Sequence, residues 1–158
     1  MVGSRLGGFA GTRVLDAFAG SGALGLEALS RGAEHAVFID KNRAALALCR
    51  RNAESLGLAA RSTFVAADAV RPPAAESPCD LVLLDPPYGE GLGGAALAAL
   101  ADSGWIRMGG LAVVEADRTR PASSPPGFAV LAERDYGRTR IVLLERTSAE
   151  SDDSGPAA

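Results

Sequence analysis

Two short segments hold side chains with chemical potential. In Asp85-Pro86-Pro87-Tyr88 a carboxylate, two imino residues and an aromatic ring follow one another directly. An exocyclic amine on a nucleobase is a weak nucleophile, because its lone pair is delocalised into the ring. To react it needs two acceptors that hold both hydrogens and favour a pyramidal nitrogen. The Asp85 carboxylate and the Pro86 carbonyl can be that pair. Proline fixes φ and has no N–H, so Pro86 and Pro87 form a stiff loop whose carbonyls are free. Tyr88 can stack on a base, a contact worth roughly 1–3 kcal/mol. Such a base must first be unstacked or flipped out. Taken alone, Pro-Pro after a strand is also an ordinary turn.

The second segment, Gly20-Ser21-Gly22-Ala23-Leu24-Gly25, fits G-x-G-x-x-G, and Asp40 lies 20 residues beyond its first glycine. After a strand and before a helix, this pattern binds nucleoside cofactors, with the acid on the ribose hydroxyls. Charge separates the candidate ligands. Asp16, four residues before Gly20, is expected to face the same crevice, where a pyrophosphate would be repelled. S-adenosylmethionine has no phosphate, and its sulfonium and ammonium outweigh its one carboxylate. Asp16 therefore suits its methionine end better than it suits NAD. Asp68, ending the third strand, can accept from the adenine amine or cap the following turn.

These residues need a scaffold that gathers strand ends. Short apolar runs alternate with helical stretches, as in an α/β fold with a mainly parallel sheet. Strands are expected at Arg13–Phe18, Ala36–Ile39, Ser62–Ala66, Asp80–Leu84 and Leu111–Glu115. Helices are expected at Gly22–Arg31, Arg43–Leu56 and Gly93–Asp102. In the first helix Leu24, Ala28 and Leu29 can share a face; in the second, Ala44 with Leu48 and Ala45 with Cys49. Phe128–Ala132 and Arg138–Glu145 have no helix between them and read as an antiparallel hairpin turning near Tyr136-Gly137. Residues 1–146 form one domain, and 147–158 a disordered acidic tail.

Composition agrees. At 158 residues and 47% hydrophobic, the chain has material for one well-buried core. It has no apolar run long enough to span a bilayer, and with no secretory h-region at its start no secretory leader is expected. Two cysteines are too few for a disulfide scaffold, so a reduced, cytoplasmic setting is expected. The net charge of −3 comes from the end: without residues 145–158 the acidic and basic side chains balance at 15 each.

The run Val14 to Ala33, VLDAFAGSGALGLEALSRGA, together with Asp80 to Tyr88, DLVLLDPPY, closely resembles the RsmD-type 16S ribosomal RNA guanine-N2 methyltransferases. Gly104-Trp105-Ile106, Val114-Glu115 and Tyr136-Gly137-Arg138-Thr139 fit the same pattern. The resemblance implies a Rossmann-like class I methyltransferase fold: a doubly wound, mostly parallel seven-stranded sheet ending in an antiparallel hairpin. It implies methyl transfer from S-adenosylmethionine to a guanine amine in small-subunit ribosomal RNA. The partner is expected to be that RNA or a small-subunit assembly intermediate, with no membrane, and the chain is expected to be a monomer. By position, Asp16, Gly20, Gly22, Asp40 and Asp68, with their neighbours Phe18, Ala19, Lys41 and Ala69, would hold the cofactor. Asp85, Pro86, Pro87 and Tyr88 would hold the base. Family members carry a basic N-terminal extension before the first strand, whereas 12 residues precede Arg13 here, so this chain is expected to lack that segment.

Other residues read more plainly. His35 is expected in a surface turn, Cys49 in a helix core and Trp105 beneath the loop before the fifth strand. Cys79 has no partner at metal-ligand spacing, and no metal is expected. Lys41 and Arg43 can simply solvate a helix start, and Glu115 ends a strand near the crevice edge. Arg107, Arg118, Arg120, Arg138 and Arg140 are candidates for phosphate contacts. Three other functions fit the same motifs: an adenine-N6 methyltransferase on DNA or RNA, an NAD-dependent reductase, and a cofactor-binding remnant without RNA activity.

Overall fold

A computed structural model describes residues 8–87, 91–119 and 124–148. Tyr88, Arg120 and most of the expected tail, 149–158, lie outside the described residues. The strands are β1 (Arg13–Ala17), β2 (His35–Asp40), β3 (Ser62–Ala66), β4 (Cys79–Leu84), β5 (Ile106–Asp117), β6 (Phe128–Tyr136) and β7 (Thr139–Arg146). The helices are α1 (Ala23–Ser30), α2 (Arg43–Ser55) and α3 (Leu92–Asp102).

One seven-stranded sheet has the order β3-β2-β1-β4-β5-β7-β6. β1 to β5 run parallel, and β7 pairs antiparallel with both β5 and β6. This is the Rossmann-like class I methyltransferase arrangement. The winding reverses between β1 and β4, which opens a crevice beyond the carboxyl ends of the strands.

The central strands β1, β2 and β4 are largely apolar because both faces are covered. On one face Leu15, Val37, Ile39, Val82 and Leu84 pack with Leu97 and Leu100 of α3 and with Trp105. On the other, Val14, Phe38 and Leu81 pack with Leu26 and Leu29 of α1 and with Leu46 and Cys49 of α2. Trp105 donates its indole N–H to the Pro73 carbonyl at 2.8 Å.

Several expectations change. β1 stops at Ala17 because Phe18 turns to φ 60°. Leu24 is exposed, and the buried side of α1 is Gly25, Leu26, Ala28 and Leu29. In α2 the buried stripe is Leu46, Cys49 and Ala53, while Ala44 and Leu48 face out. Helical spacing admits either stripe, and the sheet takes the one that can pack. His35 opens β2 instead of lying in a turn, with Nε2 2.7 Å from Thr63 Oγ1. β5 starts five residues early, through a bulge whose Arg107 to Gly110 break the apolar pattern. β6 runs on to Tyr136 because β7 pairs with its polar end.

Candidate active site

Sheet register sets the site. Asp16 lies level with Phe38 on one side and Leu83 on the other, and Leu83 lies level with Val113. Two residues further along each neighbour come Asp40, Asp85 and Glu115. Side chains alternate along a strand, so these three carboxylates rise on the face that holds Asp16, one pleat above it.

At that upper level β1 has already ended. Phe18 takes a positive φ of 60°, a conformation uncommon outside glycine and costly for a bulky side chain. It turns the chain so that Ala19 N–H donates to the Ile39 carbonyl at 2.9 Å and Gly22 N–H to Ala19 at 2.8 Å. Two acids brace this turn. Asp40 accepts from Gly20 N–H at 2.8 Å with one oxygen and from Asn42 N–H at 2.8 Å with the other. Asp16 accepts from Gly25 N–H at 2.9 Å. Gly20 has φ 55° and nothing within 4 Å of where a Cβ would sit, so the turn leaves open space above itself.

An open pocket of about 340 Å³ is lined by Phe18, Ile39, Asp40, Lys41, Ala67, Asp68, Ala69, Asp85, Pro86 and Pro87. Eight of the thirteen expected site residues therefore share one cavity. Asp68 also fills its alternative role, since its Oδ1 accepts from Val70 N–H at 3.0 Å. Ala19, Gly20 and Gly22 shape the turn without lining this pocket, and Tyr88 lies outside the described residues. Ile39 and Ala67, which no motif singles out, complete the wall.

Asp16 departs from expectation. It does not face the crevice but is 1% exposed beneath the turn, because Gly25 N–H captures its carboxylate one pleat below the rim. Burial, with the charges of Asp85 and Asp40 nearby, pushes its pKa up to about 7. Asp85, just past β4, and Glu115, inside β5, are neighbours one residue beyond the Leu84–Val114 pair. The Asp85 carboxyl beside it and partial burial push the Glu115 pKa up to about 7. Sequence alone placed Glu115 only at the crevice edge; the β4–β5 register is what sets it beside Asp85.

The lining fits a cationic nucleoside. Three carboxylates face one ammonium, that of Lys41, so the wall favours positive over negative charge. Asp40 in the wall is an acceptor that could hold a ribose diol, and the open space over Gly20 leaves room for a ligand close to the backbone. A pyrophosphate has no such welcome here.

Comparison with known proteins shows the family. The family described as Conserved hypothetical protein 95 matches residues 3–145. The ribosomal RNA small subunit methyltransferase D of Haemophilus influenzae is 31% identical over 78% of this chain, which spans 66% of that protein. Its namesake in Escherichia coli K12 is 35% identical over 87% of this chain and 71% of its own. A solved Haemophilus influenzae structure described as a candidate methylase superposes with a TM-score of 0.78 at 27% identity, covering 88% of this chain and 89% of that one. The chain belongs to the Conserved hypothetical protein 95 family, that of the RsmD-type methyltransferases.

Proposed function

We propose that this protein methylates the exocyclic amine of a guanine in small-subunit ribosomal RNA, using S-adenosylmethionine. The observation that carries the reading is the single pocket joining the ribose-type acid Asp40 to the Asp85-Pro86-Pro87 turn. The names of the relatives support ribosomal RNA as substrate, and the resemblance of the motifs supports guanine N2.

In this reading Asp40 holds the ribose, Asp68 and Ala69 flank the adenine, and the turn from Phe18 to Gly22 lies under the methionine end. When bound, the cofactor supplies a methyl group already activated on a sulfonium, in line with the acceptor. Asp85 and the Pro86 carbonyl hold the two amine hydrogens and orient the nitrogen lone pair. The amine becomes far more acidic as it gains the methyl, so Asp85 or a water takes its proton late. Catalysis then rests on positioning and polarisation more than on a strong base. Gly93 of α3 supports the turn, since a Cβ there would sit 3.0 Å from Val114 and 3.9 Å from Pro86.

The test is incubation with S-adenosylmethionine and small ribosomal subunits or their RNA, followed by mass spectrometry of the nucleosides. N2-methylguanosine is the expected product. N6-methyladenosine would establish the adenine alternative. Cofactor binding with no methylated nucleoside would leave only a remnant.

A further inference from the structure

We propose that Glu115 is a specificity-determining residue of the base site: beside Asp85 it accepts the ring N1–H of guanine and so rejects bases whose N1 carries a lone pair. This rests on the reading above, in which a base amine meets Asp85.

The argument starts from register. Leu84 pairs with Val114 in parallel β4 and β5, so Asp85, just past the end of β4, and Glu115, inside β5, follow at the next level. Asp85 is exposed and lines the pocket, while Glu115 is half-buried behind it and paired on its far side with Ile141 of β7. That register sets the two carboxyl groups side by side, near enough for Asp85 to raise the pKa of Glu115. Acceptors on neighbouring strands can meet adjacent N–H groups on one ring edge.

Guanine presents such an edge, with N1–H next to the 2-amine. While Asp85 and the Pro86 carbonyl hold the amine, Glu115 is the acceptor within reach of N1–H. Glu115 accepts in its ionised form, any proton it carries passing to solvent as the base docks. Adenine presents its amine next to a bare N1 lone pair, which an ionised Glu115 repels. A single carboxylate behind an Asp-Pro-Pro turn would hold either amine; the second one makes the choice.

2-Aminopurine probes the contact: it keeps the 2-amine of guanine, has a lone pair at N1 and lacks O6, and comparing Glu115→Gln with wild type cancels the loss of O6. The test compares a small-subunit ribosomal RNA fragment bearing guanine with one bearing 2-aminopurine at the position where the wild-type enzyme leaves its methyl. Wild type should prefer guanine by at least about 100-fold in kcat/KM, since a site built around a donor discriminates strongly against its loss. Glu115→Gln, whose amide N–H can donate to a bare N1, should narrow that ratio to roughly tenfold or less. It should also raise the 2-aminopurine fluorescence of the bound RNA above that seen with wild type, a readout independent of methyl transfer. A purely structural Glu115 would lower both rates together and leave the ratio unchanged, which would overturn the inference. If wild type methylated no guanine, the proposed function would fall and this inference with it.

Discussion

The backbone N–H of Gly25 donates to the Asp16 carboxylate at 2.9 Å, tying the middle of β1 to the first turns of α1 in a place that water does not reach. The contact holds the glycine turn at a fixed height over the sheet. It also stores a buried charge beneath the site expected to receive a cation.

That charge makes stability depend on pH. The folded state keeps the Asp16 proton up to about 7, whereas the unfolded chain releases it near 3.8. Between those values the folded state binds more protons, so the stability that Asp16 contributes falls as pH rises, and levels off above 7. Asp16→Asn keeps an oxygen for Gly25 but cannot ionise. Thermal melts at pH 5 and pH 8 should show a loss in wild type that exceeds the loss in D16N by about 5 °C. Comparing the two proteins cancels the other titrating groups, Glu115 among them. S-adenosylmethionine affinity, measured by calorimetry, should fall about tenfold or more in D16N at pH 8. Parallel pH profiles would show that the Asp16 proton is not linked to folding.

The three glycines of the G-x-G-x-x-G pattern, two in the turn and Gly25 in α1, should fail for different reasons. A Cβ on Gly25 would lie 2.5 Å from Cε1 of the buried Phe38 and 3.1 Å from Asp16 Cβ. Gly25→Ala should therefore cost about 1–3 kcal/mol even after the helix-propensity gain. Gly22→Ala combines φ 85° with a clash against Cys49 Sγ and should be at least as damaging. Gly20→Ala meets no atom and bears only a left-handed φ of 55°, so it should cost about 1 kcal/mol. Its Cβ enters the space over the turn, and it should weaken cofactor binding more than its melt suggests. Urea unfolding and calorimetry on all three variants would reveal any other ranking.

How far the sequence anticipates this site depends on which residues carry their own geometry. The glycine pattern, Asp40 and the Asp-Pro-Pro turn are legible because each fixes a local conformation at a strand end. The parallel order is legible because β1, β2 and β4 are apolar on both faces. What the chain does not announce is height. Asp16 and Asp40 are alike on paper, yet two residues of register put one under the turn and the other in the wall. Glu115 ends an apolar run like any strand, and only its pairing level shows that it meets Asp85. The true stripe of α2 and the early start of β5 are hidden for a similar reason: tertiary pairing selects among patterns that spacing alone allows.

Asp85 and Asp40 line one pocket and should separate cleanly in kinetics. Asp85→Ala removes an acceptor for the amine but touches no part of the turn, so kcat should drop about 100- to 1,000-fold while cofactor affinity stays within roughly threefold. Asp40→Ala removes the acceptor for Gly20 N–H and Asn42 N–H along with the ribose contact. It should weaken cofactor binding about tenfold or more and lower stability by about 1–2 kcal/mol. Single-turnover rates and calorimetric affinities distinguish the two, and equal loss of both quantities in D85A would assign Asp85 a structural role instead.

The hairpin should tune RNA affinity in two directions. β7 begins where β5 ends, with Thr139 level with Asp117, so the turn from Tyr136 to Arg138 stands at the crevice rim. Arg118 N–H donates to the Arg138 carbonyl at 3.0 Å, which places both guanidinium-bearing residues there. Asp135 holds the side chains of Arg140 at 2.9 Å and Arg118 at 3.5 Å, and the Arg140 hydrogen bond keeps its pKa below the ordinary value. One carboxylate thus occupies two cations that could otherwise meet phosphates. Arg138→Ala should weaken binding to small-subunit ribosomal RNA several-fold and reduce the slope of log affinity against log salt by about 1. Asp135→Asn should do the opposite, tightening binding and steepening the slope, because it removes a negative charge and frees Arg118 and Arg140. Filter binding between roughly 50 and 200 mM salt reads both effects. If D135N left the slope unchanged, the rim arginines would not be facing the RNA backbone.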